Sequence, residues 1–180
     1  MPLLRITART GALGDEQRQR LATELTDILL EVEVGYAADN NRKVAHVLFD
    51  DVDGATHWYA GGLRVDQQGA SPGLVIFDVF YPVGATDSAA KSELHRRLNE
   101  AAARILLGEA APASTLFSWI FIHEIAERAW GVRGRTIGIR DIASGAQVPA
   151  SRVAYANAWL EAEQRVRTAH AFPESIGAAE

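Results

Sequence analysis

The chain has 180 residues, of which 48% are hydrophobic and 23% are charged, the composition of an ordinary globular protein. It contains no cysteine, which excludes disulfides, thiolate metal ligands and cysteine nucleophiles. Its net charge is −5, and its 18 basic residues are interspersed among 23 acidic ones, so nucleic acid is not an expected partner. No apolar run approaches the ~18 residues that span a bilayer, and the N-terminus lacks the apolar stretch of a secretory signal. We therefore expect a cytoplasmic protein that does not bind membranes.

The first third of the chain predicts a strand, a helix and a second strand. Leu3 to Arg9 has the pattern of a strand, and Asp15 is a plausible N-cap for the helix that follows. Apolar residues then recur with the spacing of one helix face, at Leu21, Leu25, Ile28, Leu29 and Val32. Gly35 has the position of a C-terminal glycine, and Val44 to Phe49 predicts the second strand. The helix between the strands favours a right-handed parallel crossover.

The same order recurs later in the chain. Leu74 to Tyr81 predicts a strand, and Asp87 or Ser88 could cap the next helix. That helix should end at Gly108, and Leu116 to Ile122 predicts the closing strand.

A shift of 73 residues superimposes the two segments. It relates Gly11 to Gly84, Leu21 to Leu94, Leu25 to Leu98, Gly35 to Gly108, Val47 to Ile120, Phe49 to Ile122 and Gly61 to Gly134. Glycines and core positions both fall in register, which indicates an internal duplication. We predict two β-α-β units, about residues 2–62 and 74–142, within one domain of residues 1–150.

The predicted fold class is α+β (α/β), with a four-stranded sheet and two helices on one of its faces. Because the strands are apolar on both sides, the other face should be buried by oligomerisation. A third helix should begin near Ser151 and end before Phe172 and Pro173. It belongs to a C-terminal segment of residues 151–180 that lies outside the duplication and could dock on a neighbouring subunit.

The sequence contains none of the familiar hydrolase, nucleotide or metalloprotease motifs. The five histidines show no ligand spacing; they are His46, His57, His95, His123 and His170. We therefore predict neither a metal ion nor a cofactor.

Pro2 is the candidate catalytic group. Proline after the initiator Met1 is small enough for the methionine to be removed, which would leave a secondary amine at the start of a strand. Burial of that amine in an apolar pocket would lower its pKa toward the range of a general base. The alternative is that Pro2 only begins an edge strand.

Several short motifs resemble the 4-oxalocrotonate tautomerase family. The first is Pro2-Leu3-Leu4-Arg5-Ile6, followed by Gly11 and by Gly14-Asp15-Glu16-Gln17 before an amphipathic helix. The second is Val47-Leu48-Phe49-Asp50-Asp51, followed by Thr56-His57-Trp58-Tyr59-Ala60-Gly61-Gly62. The duplicated length, with a proline on the first unit alone, is similar to the cis-3-chloroacrylic acid dehalogenase branch, whose members form trimers. The resemblance covers roughly residues 2–142.

This resemblance implies a small-molecule substrate, a homotrimer and catalysis by an N-terminal proline in a hydrophobic cavity. It implies that Pro2 is the base, that Trp58 forms an apolar wall and that Glu124 activates water. For Trp58 the alternative is packing in the core or a subunit contact. For Glu124 it is a solvated carboxylate at the end of a strand.

The sequence departs from the family at the residues that grip a substrate carboxylate. The loop from Tyr81 to Thr86 contains no arginine. His46 occupies the position of the family's strand arginine, and Leu29 occupies the position of a helix histidine. The glycine-flanked arginine of the family falls in Gly11-Ala12-Leu13-Gly14, which has none. We therefore expect a neutral or less acidic carbonyl substrate, held by weaker donors such as His46, Tyr81 or Thr86. Replacement charges could come from Arg128, Arg133 and Arg135, although these fit a solvated surface better.

Three hypotheses follow. The first is an isomerase, a keto–enol tautomerase in which Pro2 is the general base. The second is a Pro2-dependent hydratase or decarboxylase, or a dehalogenase-like enzyme, in which Glu124 orients water. The third is a non-catalytic trimeric homologue that retains the fold.

Overall fold

A computed structural model describes residues 2–67, 74–145 and 148–170. Its strands are β1 (Leu3–Arg9), β2 (His46–Val52), β3 (Tyr59–Ala60), β4 (Leu63–Arg64), β5 (Val75–Pro82), β6 (Ser118–Ile125), β7 (Trp130–Val132) and β8 (Arg135–Ile137). Its helices are α1 (Asp15–Val34), α2 (Asp39–Arg42), α3 (Ser88–Leu107), α4 (Ile139–Gly145) and α5 (Ala150–Ala169).

The central sheet has four strands in the order β2-β1-β5-β6. β1 runs parallel to β2, and β5 runs parallel to β6, as expected for two β-α-β units. The two units meet where β1 pairs with β5 in the antiparallel direction, with Leu3 opposite Phe80. The beginning of β1 therefore lies beside the end of β5.

Helices α1 and α3 cover one face of the sheet, which confirms the predicted fold class. Alternate residues of β1 and β5 are buried beneath them, among them Leu4, Ile6, Phe77 and Val79. The apolar helix faces predicted from the sequence pack onto these strands, and Leu21, Leu25, Leu94 and Leu98 are all at most 1% exposed.

Each β-α-β unit is followed by a short hairpin. In the first hairpin Tyr59 pairs with Arg64 around Gly61, and in the second Trp130 pairs with Ile137 around Gly134. Both glycines have a positive φ, 59° and 74° respectively. The two glycines are related by the predicted shift of 73 residues, so the hairpins belong to the tandem repeat.

The capping residues of α1 and α3 are those predicted from the sequence, with one correction. Gly35 ends α1 in the left-handed conformation, and the Asp87 side chain caps α3 by accepting a hydrogen bond of 2.8 Å from the Ala90 N–H. Asp15, however, is the first residue of α1 rather than its N-cap. Gly14 occupies the cap, and its N–H donates to the Gln17 side chain at 3.0 Å.

Two helices follow the second hairpin, of which the sequence predicted one. α5 begins one residue before the predicted Ser151. α4 precedes it and contributes Ile139, which is 4% exposed, and α5 contributes Ala156, which is 6% exposed. Phe172, Pro173 and the tail lie outside the described residues.

The sheet face opposite α1 and α3 is open in the single chain. Large side chains protrude from it, including Leu48 at 46%, Trp119 at 51% and Phe121 at 42% exposed. This face is therefore an apolar surface available to another molecule, and its predicted burial by oligomerisation stays a prediction. Among the described helices, none is both long and apolar enough to cross a membrane.

Candidate active site

Pro2 is fully buried at the end of the sheet where β1 begins and β5 ends. Its carbonyl oxygen accepts a hydrogen bond of 3.2 Å from the backbone N–H of His46. Since Leu3 lies opposite Phe80, Pro2 is placed opposite Tyr81, one step further along the two strands. Side chains alternate along a strand, so Pro2 and Tyr81 both belong to the face that carries the helices.

Tyr81 is the central polar group at this end of the sheet. It is 1% exposed, and its phenol oxygen lies 2.7 Å from the hydroxyl oxygen of Thr86, which is 3% exposed. The pKa of Tyr81 is raised to about 12, chiefly by burial; the Thr86 hydrogen bond acts in the opposite direction, and the nearby carboxylates of Glu124 and Glu33 contribute smaller increases. Tyr81 is therefore protonated at neutral pH and has a proton to donate in a hydrogen bond.

Glu124 is the neighbour of Tyr81 on β6. The two residues are directly paired across the parallel strands. One carboxylate oxygen of Glu124 lies 2.7 Å from Nζ of Lys91, and both side chains are about 30% exposed. The carboxylate is thus held near Tyr81 by a lysine from the first turn of α3.

Glu33 is a second carboxylate near Tyr81, and sequence analysis did not single it out. It lies in the last turn of α1, is 5% exposed and lines a cavity together with Pro82, Gly84 and Arg152. The signal was present in the spacing, because Leu21, Leu25 and Leu29 are each four residues apart and the next position in that series is Glu33. A charged residue at a position where the pattern requires an apolar one indicates a buried polar site.

His46 contributes its backbone rather than its side chain to this end of the sheet. It is exposed and pairs with Leu3, so its imidazole belongs to the open face, whereas Pro2 belongs to the helix face. Within one chain the His46 side chain therefore lies on the face opposite to Pro2, and its role in substrate binding stays a prediction.

Trp58 lies at the opposite end of the sheet from Pro2. It follows β2, whose last residue, Val52, pairs with Arg9. The seven residues of β1 separate the two ends by roughly 23 Å at about 3.3 Å per residue. Trp58 is 9% exposed, and within one chain it lies away from Pro2.

The loop between β5 and α3 and the C-terminal helices complete the candidate site. Gly84 and Ala85 contact α5, and the cavity beside them is lined by Ile139 and Ala156 as well as by Glu33. Arg128, Arg133 and Arg135, considered as replacement charges, are exposed. Within residues 2–67, 74–145 and 148–170, no group of three or more histidine and acidic side chains could hold a metal ion.

The structure of this chain is similar to several solved structures, although the sequence identities are low. The sequence matches no family model and no curated protein. The structure of N1, a member of the cis-3-chloroacrylic acid dehalogenase (cis-CaaD) family, has 20% identity and a TM-score of 0.62, covering 86% of this chain and 99% of N1. The F6 fused 4-OT asymmetric trimer has 19% identity and a TM-score of 0.58, covering 78% of this chain and 98% of that one. Pt0534, inactivated by 2-oxo-3-pentynoate, has 18% identity and a TM-score of 0.57, with the same coverages.

The chain has the tautomerase-superfamily fold. The resemblance seen in the sequence motifs is thereby confirmed for the architecture. The alignments include nearly all of each solved structure but a smaller share of this chain. This chain therefore contains residues beyond those that align with the solved structures.

Proposed function

We propose that this protein is a keto–enol tautomerase that acts on a small carbonyl compound with Pro2 as general base. The observation that carries the proposal is the burial of Pro2 beside Tyr81, at one end of a sheet with the tautomerase fold. A secondary amine and a protonated phenol are the two groups that enolisation requires, one to take a proton from carbon and one to stabilise the developing oxyanion.

In the proposed reaction the lone pair of the free Pro2 nitrogen removes a proton from the carbon next to the carbonyl group. The C–H electrons form the C=C bond of the enolate, and negative charge develops on the carbonyl oxygen. The Tyr81 hydroxyl donates a hydrogen bond to that oxygen, and the Pro2 ammonium returns its proton to carbon or oxygen. Because burial disfavours a charged amine and lowers its pKa, Pro2 would be unprotonated near neutral pH.

This chemistry requires that Met1 is removed, because an acylated nitrogen has no lone pair to take up a proton. Intact-mass spectrometry of the purified protein reports the processing directly. Retention of Met1 on the purified protein would exclude Pro2 as the base and would favour the non-catalytic alternative.

The kinetic test compares wild type with Pro2→Ala in the ketonisation of phenylenolpyruvate, followed by absorbance. General-base catalysis contributes about 10²–10⁴-fold, so the variant should lose at least a hundredfold in kcat/KM. An exposed substitution of equal size, such as Val166→Ala on α5, should leave the rate unchanged. Equal rates for wild type and Pro2→Ala would remove the catalytic role of Pro2.

The second candidate is addition of water to an unsaturated acid, or decarboxylation, and it is favoured by the position of Glu124 next to Tyr81 on β6. Lys91 keeps that carboxylate ion-paired, and it could orient a water molecule while protonated Pro2 acts as an acid. The pH profile separates the candidates. A base is lost as pH falls through its pKa, whereas an acid is lost as pH rises through it.

We also propose that the protein assembles as a homotrimer. The open sheet face with Trp119 and Phe121 supplies an apolar surface, and the F6 fused 4-OT structure is described as a trimer. In such an assembly the exposed His46, which lies away from Pro2 in its own chain, would be available to a neighbouring subunit.

A further inference from the structure

Helix α5 packs directly on the backbone of the loop after β5. Gly84 in that loop has a φ of +80°, and a Cβ atom placed on it would lie 2.8 Å from the indole ring of Trp159. The indole therefore occupies the space that any larger residue at position 84 would need. Nearby, Nη1 of Arg152 donates a hydrogen bond of 3.5 Å to the carbonyl oxygen of Ala85, and Ala156 is buried.

The duplication provides an internal control for this contact. The equivalent glycine in the first unit, Gly11, has nearly the same φ of +76°, but nothing lies within 4 Å of a Cβ placed there. The two loops share a backbone conformation, so the turn does not need a covering helix in order to fold. Only the loop at the end of the sheet where Pro2 lies is covered.

The covered loop connects α5 to the candidate site. It runs from Gly84 through Ala85 to Thr86, whose hydroxyl forms the 2.7 Å hydrogen bond with the Tyr81 phenol. A displacement of the loop would move Thr86 and release the Tyr81 hydroxyl from its buried position. The same loop forms part of the cavity wall with Arg152 and Glu33.

We propose that Trp159 is a positioning residue that determines substrate size, because it holds this loop closed against Tyr81. The inference rests on the proposed function of Pro2 and Tyr81. Removal of the indole would let the loop move away from Tyr81, so larger carbonyl compounds would react faster relative to smaller ones. The inference also gives the C-terminal segment a role within its own chain, instead of the contact with a neighbouring subunit considered from the sequence.

The test measures exchange of the protons next to the carbonyl group in D₂O by NMR, for 2-oxobutanoate and for phenylpyruvate. Trp159→Ala should raise the ratio of the phenylpyruvate rate to the 2-oxobutanoate rate by about tenfold, the discrimination expected when a small pocket is enlarged. Trp159→Phe, which retains an aromatic ring, should restore most of the wild-type ratio. Val166→Ala, on an exposed part of the same helix, should leave the ratio unchanged.

The outcomes separate this inference from the proposed function. Thermal melting shows which variants are folded, and Trp159→Leu, which also removes the indole and should also raise the ratio, replaces Trp159→Ala if that variant unfolds. Pro2-dependent exchange in the wild type, with the wild-type substrate ratio in a folded Trp159→Ala or Trp159→Leu variant, would overturn the role of Trp159 and leave the tautomerase proposal standing. Absence of Pro2-dependent exchange with either substrate would remove both.

Discussion

The phenol oxygen of Tyr81 lies 2.7 Å from the hydroxyl oxygen of Thr86, and both side chains are almost completely buried. Each hydroxyl group is a hydrogen-bond partner for the other in this buried region. A buried hydroxyl without a partner is costly, so this pair fixes the orientation of Tyr81 and of the loop that carries Thr86. The proposed site depends on that orientation.

Replacing Thr86 by valine should destabilise the protein, because the Tyr81 hydroxyl then loses its buried partner while the volume at position 86 is preserved. We expect the free energy of unfolding to fall by about 1–3 kcal/mol, measured by urea denaturation. Thr136→Val, at an exposed position on β8, is the matched control and should change stability by less than about 0.5 kcal/mol. Equal stability of Thr86→Val and wild type would show that the hydrogen bond is not needed.

The raised pKa of Tyr81 predicts a loss of stability at high pH. The folded protein holds the phenol proton up to about pH 12, whereas an unfolded tyrosine releases it near its model value of 10.0. The contribution of Tyr81 to stability should therefore be constant below about pH 10 and fall as pH rises from about 10 to about 12, by about 2–3 kcal/mol at ~1.4 kcal/mol per pKa unit.

The measurement is the difference in free energy of unfolding between wild type and Tyr81→Phe across this pH range. The stability of wild type should fall relative to that of Tyr81→Phe as pH rises, because phenylalanine has no proton to lose. Tyr59→Phe, at a position that is 56% exposed, should show no such trend. A difference that does not vary with pH would contradict the burial of the Tyr81 phenol.

Leu98 tests the core between α3 and the sheet. It is 0% exposed and belongs to the second unit, where it is the counterpart of Leu25 in the first. Leu98→Ala should reduce the free energy of unfolding by about 2–5 kcal/mol through lost apolar contact and the cavity left behind. Leu63→Ala, at a residue that is 62% exposed, should have little effect, and comparable losses in the two variants would argue against this packing.

Trp119 tests the open sheet face. Trp119→Asp places a charge among exposed apolar side chains and should convert the assembly to monomers, observed by sedimentation velocity. The same substitution at Val166, which is exposed on α5, should leave the assembly intact. A wild-type protein that sediments as a monomer would contradict the proposed trimer.

The main elements of the fold could be predicted because their patterns are long and were present twice. The apolar series from Leu21 to Leu29 and its counterpart from Leu94 to Leu98 each mark a helix face, and the paired glycines mark the ends. The hairpins at Tyr59 and Trp130 were not predicted, since strands of two or three residues carry no recognisable alternation.

The candidate site was only partly predictable. Pro2 could be singled out by its chemistry. Tyr81 could be singled out because it begins the loop that, in the resembling family, carries the arginines for the substrate carboxylate. The positions of Trp58 and His46 relative to Pro2 depend on the direction of each strand and on the sheet face that each side chain occupies. Both are known only from the register of β1 with its neighbours. The contact of Trp159 with Gly84 joins residues far apart in sequence, and no local pattern indicates it.

The most direct test of the central claim is to map where 2-oxo-3-pentynoate adds to the protein by intact-mass and peptide mass spectrometry. A free, unprotonated Pro2 nitrogen should add to the conjugated alkyne and give one adduct per chain, on the N-terminal peptide without Met1, together with loss of ketonisation activity. Pro2→Ala measures the reactivity of an ordinary primary amine at the same place. Retention of Met1 on the active protein, or adducts elsewhere with Pro2 unmodified, would contradict the claim that this nitrogen is the catalytic base.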